Sequence, residues 1–201
     1  IVLLQGQQNR RLKAEMEALR AQINPHFISN SLNAIESLVN LGNAKAAAKY
    51  LVHFSRLSRQ ILNGSRTATT SLSEELKTLK HFLALEQLRF RDKLTYEIEV
   101  APEVNQELVL VPAMILQPYV ENAIWHGIKP KQTGGKVLIQ VQRVDKKLRC
   151  IVEDNGIGRA AADKIQKASV LQHKSMGMQI TEERLKGMGR IKGSQVKIED
   201  L

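Results

Sequence analysis

A single cysteine, Cys150, stands among 201 residues. It excludes an internal disulfide and points to a reducing compartment. It lies inside the apolar run 148–152, so the thiol reads as part of a core. Zinc-ligand cysteine spacing is absent for the same reason. Aromatic residues make up only 4% of the chain, too few for a nucleic-acid surface built on stacking platforms. No run of about 18 apolar residues occurs, so the chain as given holds no membrane-spanning helix, and no signal peptide is visible. Negative charge is in short supply, leaving a net charge of +10. The lysines and arginines are scattered along helices rather than gathered in a block. Such a field suits an anionic small ligand as well as a polynucleotide, and direct nucleic-acid binding is not expected. No repeat or low-complexity tract is evident.

What is present suits a packed core in one domain or two small ones: hydrophobic residues are 43% and charged residues 25%. Leu12, Met16, Leu19 and Ile23 step by four, three and four, a coiled-coil seam that His26 continues. Pro25 should kink or restart the helix there. The stripe resumes with Leu32, Ile35, Leu38 and Val39 until Gly42-Asn43 ends it. A second helix is expected over 44–63 and a Ser/Thr-rich loop over 65–71. Ser73 then reads as the N-cap of a third helix to about residue 92, with Glu74 and Glu75 favouring its dipole. Helices this amphipathic need a partner surface, and an antiparallel hairpin that dimerises is the simplest one. The first four residues, without a start methionine, read as the cut end of something longer. The tail, 195–201, reads as a strand barely finished.

From Leu94 the pattern changes to alternation: Leu94, Tyr96, Ile98 and Val100 against Thr95, Glu97 and Glu99. Short strands are expected at 108–111, 137–144, 148–152 and 196–198, and helices at 112–127 and 178–186. The fold class is α+β, with helices on one face of a mixed sheet. Pro112 reads as the first position of the helix that ends at Asn122 to Gly127. Asn122 and His126, four apart, would share a face. After the 148–152 strand comes the glycine-spaced turn Asp154-Asn155-Gly156-Ile157-Gly158, where backbone can approach a ligand closely. An amide able to hold hydrated Mg²⁺, an acid able to read an adenine amino group and a glycine turn together suggest a nucleotide pocket. Taken singly, Asn122 reads equally as a helix-end polar residue, and 154–156 as a plain hairpin turn. His26, alone, reads as a core histidine. The proline before it frees a turn of backbone and would push the ring outward, where a neutral nitrogen can attack a phosphoryl group.

Residues 16–199 resemble the LytS-type sensor histidine kinases, whose catalytic domain is of the gyrase, Hsp90, histidine kinase and MutL (GHKL) ATPase kind. Asn24-Pro25-His26-Phe27-Ile28, with Asn30 and Leu32-Asn33, looks like that family's phosphoacceptor motif. Leu85-Glu86-Gln87-Leu88-Arg89-Phe90 looks like its helix leading into the ATP domain. Val111-Pro112 with Leu116-Gln117-Pro118-Tyr119-Val120-Glu121-Asn122-Ala123-Ile124-Trp125-His126-Gly127 looks like its N box. Asp154-Asn155-Gly156-Ile157-Gly158 and Gly177 with Thr181-Glu182-Glu183-Arg184-Leu185 look like its two glycine boxes. The resemblance implies a linker helix over 1–15, a dimerising helical hairpin with the phosphoacceptor over 16–92, and a GHKL-type α/β sandwich over 93–201.

It also implies roles. His26 would accept the γ-phosphoryl of ATP, and Asn122 would coordinate Mg²⁺. His126 would reach toward the phosphates, and Glu121 would hold the metal's water shell or orient the attack. Asp154 would accept from the adenine amino group. Gly156 and Gly158 would let the backbone pass the nucleotide and hinge a lid over 159–176. Gly177 would open a helix whose amides face phosphate. The implied partners are a second copy of the chain and a response regulator. The implied setting is the cytoplasmic part of a membrane-anchored bacterial inner-membrane protein. Three departures stand out. Ser29 replaces a more usual aromatic, the second glycine box carries one glycine where two are frequent, and the sheet ends a strand early. The thin second box motivates a rival reading, a dimeric signalling scaffold of the same fold with weak or no catalysis.

Overall fold

The segment 72–90 carries leucine or phenylalanine at 72, 76, 79, 82, 83, 85, 88 and 90. That is too many for one stripe, and such a helix must be covered on several sides. The computed structural model describes residues 25–64, 67, 69–90, 93–131, 133–162, 197 and 199. It contains, in order, α1 (Pro25–Asn40), α2 (Ala44–Gly64), β1 (Thr69–Ser71), α3 (Leu72–Phe90), β2 (Leu94–Val100), β3 (Leu110–Pro112), α4 (Gln117–Asn122), a π-helical turn (Ala123–Ile128), β4 (Gly135–Val144) and β5 (Lys147–Asp154). This is an α+β arrangement with a mixed sheet. The seam at 12–23 and the expected elements at 178–186 and 196–198 lie outside the described residues.

Helices α1 and α2 form a hairpin closed at Gly42, whose φ of +70° suits glycine. Asn43 caps α2 through a hydrogen bond from Ala46 N at 3.1 Å. Phe27 locks α1 onto its neighbours: its ring centroid lies 6.0 Å from Phe54 of α2 and 6.2 Å from Phe82 of α3. Helix α3 is indeed buried on most sides, through Leu72, Leu76, Leu79, Phe82, Leu83 and Leu85. The buried cluster runs without a break from Tyr50 and Leu57 through α3 to Ile124, Val137 and Ile139.

The expected alternation in 94–100 becomes β2, paired in parallel with β4, which pairs antiparallel with β5. Strand order is β2-β4-β5. Several local expectations are corrected. Ser71, not Ser73, caps α3: Glu74 N donates to Ser71 Oγ at 3.3 Å, in capping-box spacing, while Ser73 is buried. The expected loop at 65–71 ends in β1, which pairs antiparallel with β3. Pro112 closes that ribbon opposite Thr69, where a missing N–H costs no ladder bond. The helix starts only at Gln117, with Pro118 in its first turn. Cys150 is exposed rather than core. It lies opposite buried Val141, on the last strand in the order among the described residues.

Candidate functional site

Helix α4 ends at Asn122, and the next six residues wind as a π-helix. Lys129 N donates to Ile124 O at 2.7 Å, spanning five residues. Such wide turns concentrate at functional sites. The regular helix expected over 112–127 is therefore corrected twice, at its start and in its last turn. His126 stands in the π-turn, four residues after Asn122, with Gly127 beside it.

Gly127 meets the end of β5. A methyl group on Gly127 would overlap the Asp154 carboxylate, and one on Gly156 would overlap the backbone of Gly127. Glycine is needed at both positions for this close approach. Ile157 N donates to Gly127 O at 3.0 Å, and Gly156 N donates to Asp154 Oδ1 at 2.9 Å. Asn155 secures the same junction from the other side: Lys136 N donates to its Oδ1 at 2.8 Å, and Lys131 Nζ to its carbonyl at 2.5 Å. Gly158 follows with φ +75°, a left-handed position that opens a helical turn closed by Ala162 N on Gly158 O at 3.1 Å. Asn122, His126, Asp154, Gly156 and Gly158 thus lie on two segments in direct contact. His26 is the second residue of α1, and its side chain lies outside the described residues. Gly177, Thr181 to Leu185 and most of the segment 159–176 also lie outside them.

Two acids, Glu86 of α3 and Glu121 of α4, are withdrawn from water, the first fully and the second in part. Glu121 Oε1 accepts from Gln117 Nε2 at 2.8 Å. Burial pushes its carboxyl above the ordinary range, with that hydrogen bond opposing. Glu86 of α3 is only 1% exposed, and its Oε2 has no hydrogen-bond partner. Burial pushes it up to about 7, with Arg89 opposing the shift and Glu121 reinforcing it.

A third acid, Glu75, holds the approach to α4. Met114 N donates to its Oε2 at 2.8 Å and Leu116 N to its Oε1 at 3.0 Å. Met114 has φ +61°, an uncommon conformation for a residue with a side chain, and these bonds hold it. Sequence reasoning assigned Glu75 only to the helix dipole. The missed signal is a charge flanked by Leu72, Leu76 and Leu79 on a helix apolar nearly all round. Arg89, Trp125 and Lys129 were missed as interacting partners too: the Arg89 guanidinium carbon lies 4.2 Å from the Trp125 ring centroid and Lys129 Nζ 4.4 Å from it.

The family model for histidine kinases matches residues 14–94. The chain is 40% identical over 146 residues to the sensor histidine kinase YpdA of Escherichia coli K12, covering 73% of this chain and 25% of that protein. It is 36% identical over 146 residues to the sensor histidine kinase/phosphatase LytS of Staphylococcus aureus Mu50, covering 72% and 24%. With LytS of Staphylococcus saprophyticus the identity is 34% over 166 residues, covering 82% and 28%. The chain is a relative of the LytS-type sensor histidine kinases. It spans about a quarter of the length of these curated relatives. Helix α1 carries the phosphoacceptor-like motif, α4 with its π-turn the N-box-like motif, and 154–158 the glycine-box-like turn. Among the described residues no three His, Cys, Asp or Glu side chains gather as a metal cage. Mg²⁺ in phosphate sites is typically held by one or two protein oxygens together with the phosphates, and the Asn122 amide is a donor of that kind.

Proposed function

We propose that this chain is the kinase portion of a sensor protein-histidine kinase. ATP binds between the α4/π-turn segment and the 154–158 turn, and a ring nitrogen of His26 attacks the γ-phosphorus. The bond from that phosphorus to the β–γ bridging oxygen breaks, ADP leaves, and the imidazole sheds its N–H proton. The phosphoryl group then passes to an aspartate of a response regulator. The observation that carries this reading is the contact between Gly127 and the Asp154–Ile157 turn, which brings the segment following Asn122 against Asp154. The LytS-type similarity supports the same reaction.

Phosphoryl transfer relies chiefly on positioning and charge neutralisation, and the residues divide that work. Asp154 accepts from the adenine amino group, while Gly156 and Gly158 keep the path along the nucleotide clear. Asn122 holds Mg²⁺, which when bound neutralises phosphate charge. His126 contacts the phosphates, and Glu121 orients the attack. Gly177 begins the helix whose amides face phosphate. The fold is of the GHKL kind. The exposed Ile28, Leu32 and Val39 of α1 and Leu51 and Val52 of α2 supply an apolar face for a homodimer. The longer protein is membrane-anchored, with this part in the bacterial cytoplasm.

Incubation with Mg²⁺ and γ-labelled ATP should give acid-labile, base-stable label. His26→Gln should abolish it, and a His26→Gln protein that labels like the parent would overturn the assignment. The rival reading, a scaffold with weak or no catalysis, draws on the single glycine in the second glycine box. No ATP binding by calorimetry at millimolar nucleotide would favour it.

A further inference from the structure

Arg89 stands at the last turn of α3, between two parts of the molecule that the proposed reaction must bring together. On one side its guanidinium lies over the Trp125 ring, 4.2 Å from the centroid, and Lys129 Nζ lies 4.4 Å from the same ring. Trp125 belongs to the π-turn that follows Asn122. On the other side Arg89 and Leu88 close a cleft of about 270 Å³ against Asn30, Asn33 and Ser37 of α1. Asn30 and Asn33 follow His26 by four and seven residues, so they continue the helical face on which residue 26 begins. One turn back, Glu86 Oε1 lies 3.8 Å from Arg89 Nη1; the Glu86 side chain is 1% exposed and that of Arg89 24%. An arginine with its stem and head this enclosed has few alternative places to go.

We propose that Arg89 is a positioning residue for phosphoryl transfer: its stack on Trp125 fixes the π-turn of the nucleotide-binding helix relative to the face of α1 that carries His26. The proposal rests on the kinase reading above. Arg89 acts through Trp125 and touches neither nucleotide nor phosphoryl group, so removing it should alter the transfer rate far more than nucleotide affinity. An error of about 1 Å in the relation of donor to acceptor costs on the order of 100-fold in rate. A planar cation over indole is among the better cation–π pairs, and lysine keeps the charge but loses the planar stack.

The experiment uses the whole chain and four variants: Arg89→Ala, Arg89→Lys, Trp125→Leu, and Arg89→Ala with Trp125→Leu. Three quantities are read for each: the initial labelling rate of His26 at saturating ATP, the ATP dissociation constant by calorimetry, and folding by circular dichroism. Arg89→Ala should label roughly 10- to 100-fold more slowly, with ATP affinity within about threefold of the parent. Arg89→Lys should recover part of the rate. The double variant should be no slower than the slower single one, because both substitutions break the same stack. Trp125 is the one tryptophan in the chain, so its emission should change on Arg89→Ala in a protein whose circular dichroism is unchanged. A parent that labels beside an Arg89→Ala protein that labels equally fast overturns the positioning role and leaves the kinase reading intact. Single-variant effects that multiply in the double variant, or an Arg89→Ala loss confined to ATP affinity, also overturn it. A parent that binds ATP and does not label His26 overturns the kinase reading, and this role with it.

Discussion

Glu86→Gln should stabilise the protein at neutral pH and do so less and less as the solution is acidified. Glu86 is 1% exposed, and burial raises its carboxyl from an ordinary 4.5 to about 7. Between those values the folded state holds a proton that the unfolded chain has released, so stability falls as pH rises through the window. At about 1.4 kcal/mol per pH unit, the full penalty at neutral pH is on the order of 3 kcal/mol. Between pH 5 and pH 8 it changes by about 2.5 kcal/mol. Glutamine has nearly the same shape and cannot ionise, so it escapes the penalty whatever its fixed cost. Urea unfolding of parent and Glu86→Gln at pH 5, 6, 7 and 8 isolates the effect, because other titrating groups cancel in the difference. The midpoint of the variant should move up by roughly 1 M urea relative to the parent across that range. A difference that is flat with pH, or changes by less than about 1 kcal/mol, would refute the claim that Glu86 is buried without adequate compensation from Arg89.

Glu75→Ala should destabilise the chain by about 2–4 kcal/mol, since it strands the Met114 and Leu116 amides; urea unfolding measures this. It should also weaken ATP binding, because α4 starts from the turn those amides shape. Gly156→Ala should cost about 1–3 kcal/mol by overpacking against the Gly127 backbone, and should abolish calorimetric ATP binding. Gly127→Ala should be milder, since it meets a side chain that can rotate away. The His53–His81 pair, with Nδ1 atoms 3.2 Å apart across α2 and α3, should produce the opposite pH trend to Glu86. Burial is the leading cause that lowers both imidazoles below 6.5, with His81 and nearby cations adding to it at His53 and Arg56 at His81. Their contribution is present above about pH 6.5 and is lost as pH falls below it. His81→Phe should flatten that acid-side loss in thermal melts at pH 5–7.

The parts of this fold written in short-range pattern were legible. The alternation at 94–100 gave a strand whose inward set is the expected one, and Gly42 ended α1 where a left-handed residue was required. The glycine turn at 154–158 could be placed at a strand end from its apolar approach alone. What was not legible depends on partners distant in the chain. The three residues 69–71 become a strand only because 110–112 lies alongside. Pro112 read as the helix start, whereas the helix begins at Gln117 with Pro118 in its first turn, after a turn that the Glu75 bonds to 114 and 116 hold. The π-turn appears where Gly127 closes on β5, a contact that local propensity does not encode. Glu75 looked like an ordinary helix charge because burial on most sides of α3 is a property of the assembled core.

The parallel pairing of β2 with β4 has a consequence for how the chain is made. Leu94 pairs with Gly135, and Gly127 must wait for Gly156. At about 5–20 residues per second on a ribosome, several seconds separate the emergence of β2 from that of the glycine turn. During that interval the helices can settle, while Val137 and Ile139 have no closed sheet to enter. A product cut short before residue 154 would therefore be sticky and inert, never partly competent. Premature termination in this stretch should leave debris for proteases rather than a weak signal.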